Sequence, residues 1–464
     1  MKKKTNKKRT NVIAAIAHKL SLTKLMTFGC DSGVPERSIA VGYLVYILLG
    51  WLVLCLPWCH TESCDATMID HLFTAASALS TTGLATVDVP AVYSTFGMVV
   101  ILLLIQGGAL GYMTITSFLM LHITNKISER SNKVMKAAIA APFGMDLKTL
   151  IDNVVKFTFA FEAIGFAALW ITFGCLDVES AAWNALFISI SSFCTAGIST
   201  FSDSLCSFSG NFAVNIIVAI LSYSGAMGFI VMTDMRMKLT NRNYRITFTT
   251  RVILTITFWM TVLGIVFLML FPAHTMSGNI PVRFLEAFFQ TMTAMTTVGF
   301  NTFDLAALPA VSVLVLSMIM FIGASPSGTG GGLKSTTLSA GYAFVVSMLR
   351  GRKEVTLRGN KLPFYRINSA LVTILVYGFV LLAGVLALVA FDSSFTFSQL
   401  LFEAASALGT VGISLGITSQ LSIVGKFVLI ALMYIGRVGV ITLSAALMSH
   451  ELGNSSPRKA DIAV

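Results

Sequence analysis

Long apolar stretches alternate with short ones along this chain, and the alternation repeats four times. Stretches near or above the ~20 residues that span a bilayer define outer helices at about 39–57, 151–175, 251–272 and 368–391. Matching inner helices fall at about 95–122, 210–235, 310–349 and 422–448. Between the members of each pair lies a shorter apolar segment, too short to cross, which predicts a re-entrant pore helix. Each short segment ends in the same way: Thr81-Thr82-Gly83-Leu84, Thr195-Ala196-Gly197-Ile198, Thr297-Val298-Gly299-Phe300 and Thr410-Val411-Gly412-Ile413. The pattern predicts an all-α membrane protein of four pseudo-repeated helix–pore helix–filter–helix units around a central ion pore. The units run over 39–122, 151–235, 251–349 and 368–450, with a basic segment at 1–38 and a tail at 451–464.

Other columns repeat with the glycines. Ten residues earlier stand Phe73, Phe187, Phe289 and Phe402; six earlier stand the hydroxyls of Ser77, Ser191, Thr293 and Ser406. Three residues after the glycine come Thr86, Thr200 and Thr302, but Leu415 in the fourth unit. Close helix packing explains single glycines. It does not explain why each follows a pore-helix-length segment and precedes a polar turn. Repeated turns that present peptide carbonyls at membrane depth replace the water that a cation sheds, without a full negative charge to trap it. Glycine tolerates the torsions this needs, and the C-terminal end of each pore helix favours a cation. The reading is therefore a cation conductor, with potassium as its ion.

Composition agrees: 55% of residues are hydrophobic and 11% charged, with a mean hydropathy of +0.82. Lys and Arg collect between Lys2 and Arg9, in three loops (Lys126 to Lys136, Arg236 to Arg251, Arg350 to Arg366), and at Arg458 and Lys459. All fall on one side if each unit crosses the membrane twice, and the positive-inside rule makes that side the cytoplasm, with both termini there. The net charge of +11 is then a matter of topology, not of nucleic-acid binding. The filters open outward, near Asp88, Asp203 and Asp304. Residues 10–30 lack the apolar core of a cleavable signal, and Val12 to Leu25 reads as an amphipathic stretch on the membrane face.

On the inner helices Gly108-Ala109-Leu110-Gly111, Gly225-Ala226-Met227-Gly228 and Gly436-Arg437-Val438-Gly439 repeat a spacing that lets helices cross tightly. Arg437 is an expensive residue amid apolar neighbours and its charge should repel cations unless something compensates. The third inner helix is interrupted over about 323–335, at Gly323, Ser325, Pro326, Gly328, Gly330, Gly331 and Gly332, ending at Lys334. Such a segment cannot hold a regular helix and predicts an intramembrane gate, with Lys334 its point of control.

No catalytic site is expected. Gly328 to Ser335 fails the spacing of a phosphate-binding loop, and Gly412-Ile413-Ser414-Leu415-Gly416 lies on no α/β sheet. Glu162 sits inside an outer helix without a nameable partner. The seven cysteines form no metal pattern. Cys59 and Cys64 could pair in an outer loop, while Cys55, Cys175 and Cys194 read as small core residues.

The four units, the glycine-rich break and the arginine on the fourth inner helix resemble the superfamily of K+ transporters that includes Trk, Ktr and plant HKT proteins. The chain looks most like the membrane subunit of a Ktr-type potassium uptake system, because it lacks the extra N-terminal helix pair of Trk subunits. The resemblance implies that Gly83, Gly197, Gly299 and Gly412 select K+ in a gated, channel-like pathway driven by the membrane potential. It implies a homodimer in a bacterial plasma membrane, a cytosolic ring of nucleotide-binding regulatory subunits docked on the basic loops and the gate, and stimulation by Na+. The alternative is coupled Na+/K+ symport.

Overall fold

The computed structural model describes residues 35–62, 64–111, 147–352, 354–440 and 442–443. The stretch Val12 to Leu25, the loop Lys126 to Lys136, the first inner segment beyond Gly111 and the tail at 451–464 lie outside them.

Unit 1 comprises α1 (Pro35–Leu54), the short α2 (Met68–Ser80) and α3 (Thr95–Leu110). Unit 2 comprises α4 (Leu147–Cys175), the short α5 (Ala181–Phe193) and α6 (Phe212–Thr240). Unit 3 comprises α7 (Phe248–Leu270), α8 (Ile280–Thr296), and an inner element split into α9 (Ala310–Phe321) and α10 (Ser335–Leu349). Unit 4 comprises α11 (Phe364–Phe391), the short α12 (Phe397–Gly409) and α13 (Ile423–Val438). Polar side chains cap the start of several of these helices. Ser94 accepts from the Gly97 N–H at 3.2 Å and Ser422 from the Gly425 N–H at 3.1 Å, each satisfying an N–H that the helix leaves unpaired. A two-stranded hairpin, Thr356–Leu357 with Asn360–Lys361, stands in the last basic loop. Arg358 and Gly359 make its turn with φ of 50° and 79°, a tight connection that suits strand twist.

Among the described residues the larger core clusters lie at four seams, each between neighbouring units. Phe187 and Ile198 of unit 2 pack with Leu54, Ile101 and Ile105 of unit 1. Phe289 and Phe300 of unit 3 pack with Leu169, Phe173 and Val218 of unit 2. Phe402 and Ile413 of unit 4 pack with Leu268, Leu316 and Met320 of unit 3, and Phe73 and Leu84 of unit 1 close the circle against Leu388, Leu429 and Met433 of unit 4. The repeated phenylalanine and the apolar residue after each glycine thus belong to the seam with the preceding unit. All four phenylalanines are fully buried.

Among the described residues, four helices are long and apolar enough to cross a membrane: Asn153–Cys175, Phe212–Thr240, Phe248–Leu270 and Phe364–Phe391. Their outward faces stay apolar. On α11, Leu375, Phe379, Leu382 and Leu386 are exposed at helical spacing, a stripe that suits lipid tails and would be a liability in water. Between lipid-solvated helices the hydrophobic effect supplies little, so close packing and hydrogen bonds hold the seams.

Candidate functional site

At the end of each short helix the threonine takes the left-handed conformation: φ is 52° at Thr81, 53° at Thr195, 59° at Thr297 and 50° at Thr410. The next N–H then reaches back into the helix. Those of Thr82, Ala196, Val298 and Val411 donate to the carbonyls of Ser77, Ser191, Thr293 and Ser406 at 2.8–3.2 Å. In three units the glycine N–H follows, donating to the hydroxyl of the same residue: Gly83 to Ser77 at 3.0 Å, Gly299 to Thr293 at 3.1 Å and Gly412 to Ser406 at 3.1 Å. In unit 2 the Ser191 hydroxyl instead donates to the Ile198 carbonyl at 2.8 Å. The hydroxyl column seen in the sequence therefore fixes the turns.

The four turns meet. Each glycine has positive φ (96°, 64°, 98° and 96° in chain order). A Cβ on Gly83 would sit 2.5 Å from the Ala196 carbonyl oxygen, and one on Gly299 2.5 Å from that of Val411. One on Gly197 would overlap the carbonyl of Val298, and one on Gly412 that of Thr82. The contacts run 83 to 197, 197 to 299, 299 to 412 and 412 back to 83, a closed ring in chain order. The carbonyl oxygens of Thr82, Ala196, Val298 and Val411 accept no hydrogen bond among the described residues. Backbone oxygens left unpaired at such depth need another positive partner.

On one side of the ring a vestibule of about 350 Å³ is lined by the four glycines, Asp88, Asp304 and the loops that follow. Asp203 does not line it and instead accepts from the Ser207 N–H at 2.8 Å. Glu403, which the sequence reading passed over, is fully buried behind this wall. It accepts from Leu415 N–H at 3.2 Å and Thr418 Oγ1 at 2.9 Å, tying the loop after the fourth turn to α12.

On the other side the glycine-rich segment between α9 and α10 lies directly against the ring and touches all four threonines. Thr329 Oγ1 is 3.1 Å from Thr195 Oγ1, and its carbonyl accepts from Thr81 Oγ1 at 3.4 Å. The Gly331 N–H donates to Thr410 Oγ1 at 2.9 Å. A Cβ on Gly330 would overlap Thr297 Oγ1, a buried hydroxyl with no hydrogen-bond partner. The segment is seated on a kink in α6, where Gly228 has φ 77°. Phe229 N–H donates to Ser327 O at 3.3 Å instead of continuing the helix, and Gly225 O accepts from Thr329 N–H at 3.1 Å. Ser325 adds a bond to Ala226 O at 3.0 Å. Thr329, the residue that makes most of these contacts, was absent from the sequence-based candidates. Its signal was faint: a lone hydroxyl flanked by glycines within the break.

Arg437 sits in the last turn of α13 and is held by three neutral oxygens. It donates to the carbonyls of Thr329 and Gly108 and, at 2.9 Å, to Thr81 Oγ1. Solvation is thus supplied, but no carboxylate offsets the charge among the described residues. Lys334 folds back onto the segment, donating to Gly330 O at 2.7 Å. Both residues line a second cavity of about 350 Å³ with Gly328, Gly330, Gly332 and Tyr377. Gly323 abuts Gly331 and Gly332 so closely that a Cβ has no room, and Pro326 lies between Ser325 and Ser327 at the bend. The inner-helix glycines also meet the ring's supports. A Cβ on Gly108, Gly225 or Gly436 would overlap the carbonyl of Leu79, Phe193 or Leu408, each two residues before a turn threonine.

Glu162 has partners after all: Gln106 Nε2 donates to its carboxylate at 2.9 and 3.2 Å, and Cys194 Sγ lies 3.5 Å away. These groups join units 1 and 2 immediately behind Thr195. Cys59 and Cys64 are free thiols, with Cys59 fully buried and donating to Val53 O at 3.2 Å. Cys175 is exposed at the end of α4 rather than packed in the core, because its helix ends where the chain leaves the bundle.

A family described as TrkH, a cation transport protein, matches residues 8–456. The chain is 31% identical to Ktr system potassium uptake protein B of Bacillus subtilis, over 90% of this chain and 94% of that one. It is 32% identical to the protein of the same name from Vibrio alginolyticus (90% and 92%). It is 29% identical to the potassium/sodium uptake protein NtpJ of Enterococcus hirae (89% and 93%). The crystal structure of the potassium transporter TrkH from Vibrio parahaemolyticus shares the fold, with a TM-score of 0.68 at 21% identity over 88% of this chain and 85% of that one. By the extent of the family match, this multi-pass helical chain belongs to the TrkH family of cation transport proteins.

Proposed function

We propose that this protein conducts potassium ions across the plasma membrane, with the ring of Thr-x-Gly turns as its selectivity filter. The observation that carries this reading is the closed ring of four glycines, whose neighbouring carbonyl oxygens lack hydrogen-bond donors. Four oxygens in one ring replace part of a potassium ion's hydration shell, and four helix C-termini directed at the same region favour positive charge. The relatives named as potassium uptake proteins support the choice of ion.

In this reading the segment from Gly323 to Lys334 is the gate, and the conformation described is closed. Thr329 and Gly331 hold it against the filter threonines, and Arg437 pins Thr329 to unit 1. Opening requires the segment to leave the kink at Gly228 and the arginine to release one carbonyl. The membrane potential drives uptake, the basic loops face the cytoplasm, and the chain works as a homodimer. A cytosolic ring of nucleotide-binding regulatory subunits docks on those loops and biases the gate. Na+ acts as a stimulator. Coupled symport is the second reading, favoured by the name of one relative, a potassium/sodium uptake protein.

Reconstitution into liposomes with a potassium gradient, with and without Na+, tests both. A current that reverses at the potassium equilibrium potential, whatever the Na+ gradient, supports the conductor. A reversal potential that moves with the Na+ gradient supports symport, and absence of cation-selective flux defeats both.

A further inference from the structure

Beside the glycine-rich segment two cationic side chains share one cavity. Lys334 and Arg437 both line the second cavity of about 350 Å³. They are fixed to consecutive peptides of the segment: Arg437 donates to the Thr329 carbonyl, and Lys334 to the Gly330 carbonyl at 2.7 Å. Neither is paired with a carboxylate among the described residues. Like charges held side by side at membrane depth are costly unless something compensates. Neutral carbonyls solvate a charge without cancelling it.

Neither side chain is saturated. A guanidinium carries five N–H donors, and Arg437 commits three bonds, to Thr81 Oγ1, Thr329 O and Gly108 O. An ammonium carries three donors, and Lys334 commits two bonds, to Gly330 O and, at 3.5 Å, to Gly331 O. Donors of both groups therefore remain for a further acceptor. The helix termini act unequally on the two charges. The C-terminal end of α13 offsets part of the charge on Arg437. Lys334 stands at the opposite kind of end: α10 starts directly after it, and Thr337 in the first turn lines the same cavity. The partial positive charge of a helix N-terminus adds to that of the lysine and suits an anion.

We propose that this cavity binds a small monovalent inorganic anion of the halide class, which bridges Lys334 and Arg437. The space of about 350 Å³ exceeds the ~30 Å³ share of one water about tenfold, so the ion enters with part of its hydration shell. Lys334 belongs to the segment, whereas Arg437 belongs to α13 and reaches Thr81 and Gly108 of unit 1. With the cavity empty of anions, the two like charges push the segment away from α13. With an anion between them, they draw together. The anion therefore holds the segment seated against Thr195 and Thr410. This hold rests on reading the segment as the gate; the binding site itself does not.

Crystals of the full-length protein grown without halide and soaked in potassium bromide test the site, with anomalous data collected at the bromine edge. The expected result is a peak between Lys334 and Arg437 that is lost or weakened in Lys334→Gln. Wild-type crystals with no peak there, or a peak of undiminished height in Lys334→Gln, overturn the proposal. Liposomes test the hold. Potassium flux through the wild type should fall about tenfold, the effect of one charged hydrogen bond, when bromide replaces bulky gluconate at equal ionic strength. Flux through Lys334→Gln should not respond to the exchange, and Lys334→Arg, which keeps the charge, should restore the response. Wild-type flux that is equal in the two anions overturns the hold. Absence of cation-selective flux in either anion defeats the conductor reading instead, and the bromide peak then still decides the site.

Discussion

Replacing Arg437 with alanine removes the side chain that ties the glycine-rich segment, the proposed gate, to unit 1. Of its three hydrogen bonds, those to Gly108 O and Thr81 Oγ1 connect fixed parts of the frame, and one, to Thr329 O, holds the segment itself. A hydrogen bond from a charged donor contributes about 1.5–3 kcal/mol. At 1.4 kcal/mol per factor of ten, losing it shifts the balance between seated and unseated segment by about 10- to 100-fold. Removing a positive charge next to the pathway acts in the same direction, since that charge opposes cation entry. Arg437→Ala should therefore raise potassium flux into liposomes by at least about tenfold without any regulatory partner. Arg437→Lys should give a smaller rise, because one ammonium cannot reach three oxygens arranged for a guanidinium. Flux in Arg437→Ala that equals or falls below wild type, in protein that remains monodisperse, would refute the pinning role.

Gly83→Ser places a Cβ 2.5 Å from the Ala196 carbonyl oxygen at a φ of 96°. The strain, about 1–2 kcal/mol, displaces a carbonyl oxygen of the ring, so, if the ring selects the ion, the K+/Na+ permeability ratio from reversal potentials should fall about tenfold. Deleting Gly328 to Gly332 removes the bonds of Thr329 and Gly331 to the turn threonines and should raise basal flux, read as tracer uptake; regulated, unchanged flux would mean the gate lies elsewhere. The Asp70–Lys426 pair links unit 1 to unit 4 at 2.8 Å. Burial works against the Asp70 charge, but Lys426 and Thr67 outweigh it and hold the carboxyl well below the usual carboxylate range. A depressed folded-state pKa contributes stability above the ordinary value near ~4, and that stability is lost as pH falls below it. Lys426→Ala should lower Tm at pH 7 by an amount matching about 3 kcal/mol, and the gap to wild type should narrow between pH 4 and pH 2.

The sequence displayed the fold class because its repeats are local. A short apolar segment ending in Thr-x-Gly is visible within some fifteen residues, and Pro326 amid glycines can only break a helix. Even the seam packing of Phe73, Phe187, Phe289 and Phe402 left a trace as an aligned column. What stayed hidden depends on distant partners. Thr329 meets Thr195 across 134 residues and Thr81 across 248, and no spacing rule connects them. Glu162 acquires Gln106 and Cys194 only when units 1 and 2 close.

If the ring of unpaired carbonyl oxygens is a selectivity filter, it must hold the permeant ion. Crystals of the protein soaked with Rb+ or Tl+ test it by anomalous scattering. A peak is expected within the ring of Gly83, Gly197, Gly299 and Gly412, lost or weakened when Na+ replaces the heavy ion. A map with no peak in the ring and full occupancy at another site within the membrane would contradict it.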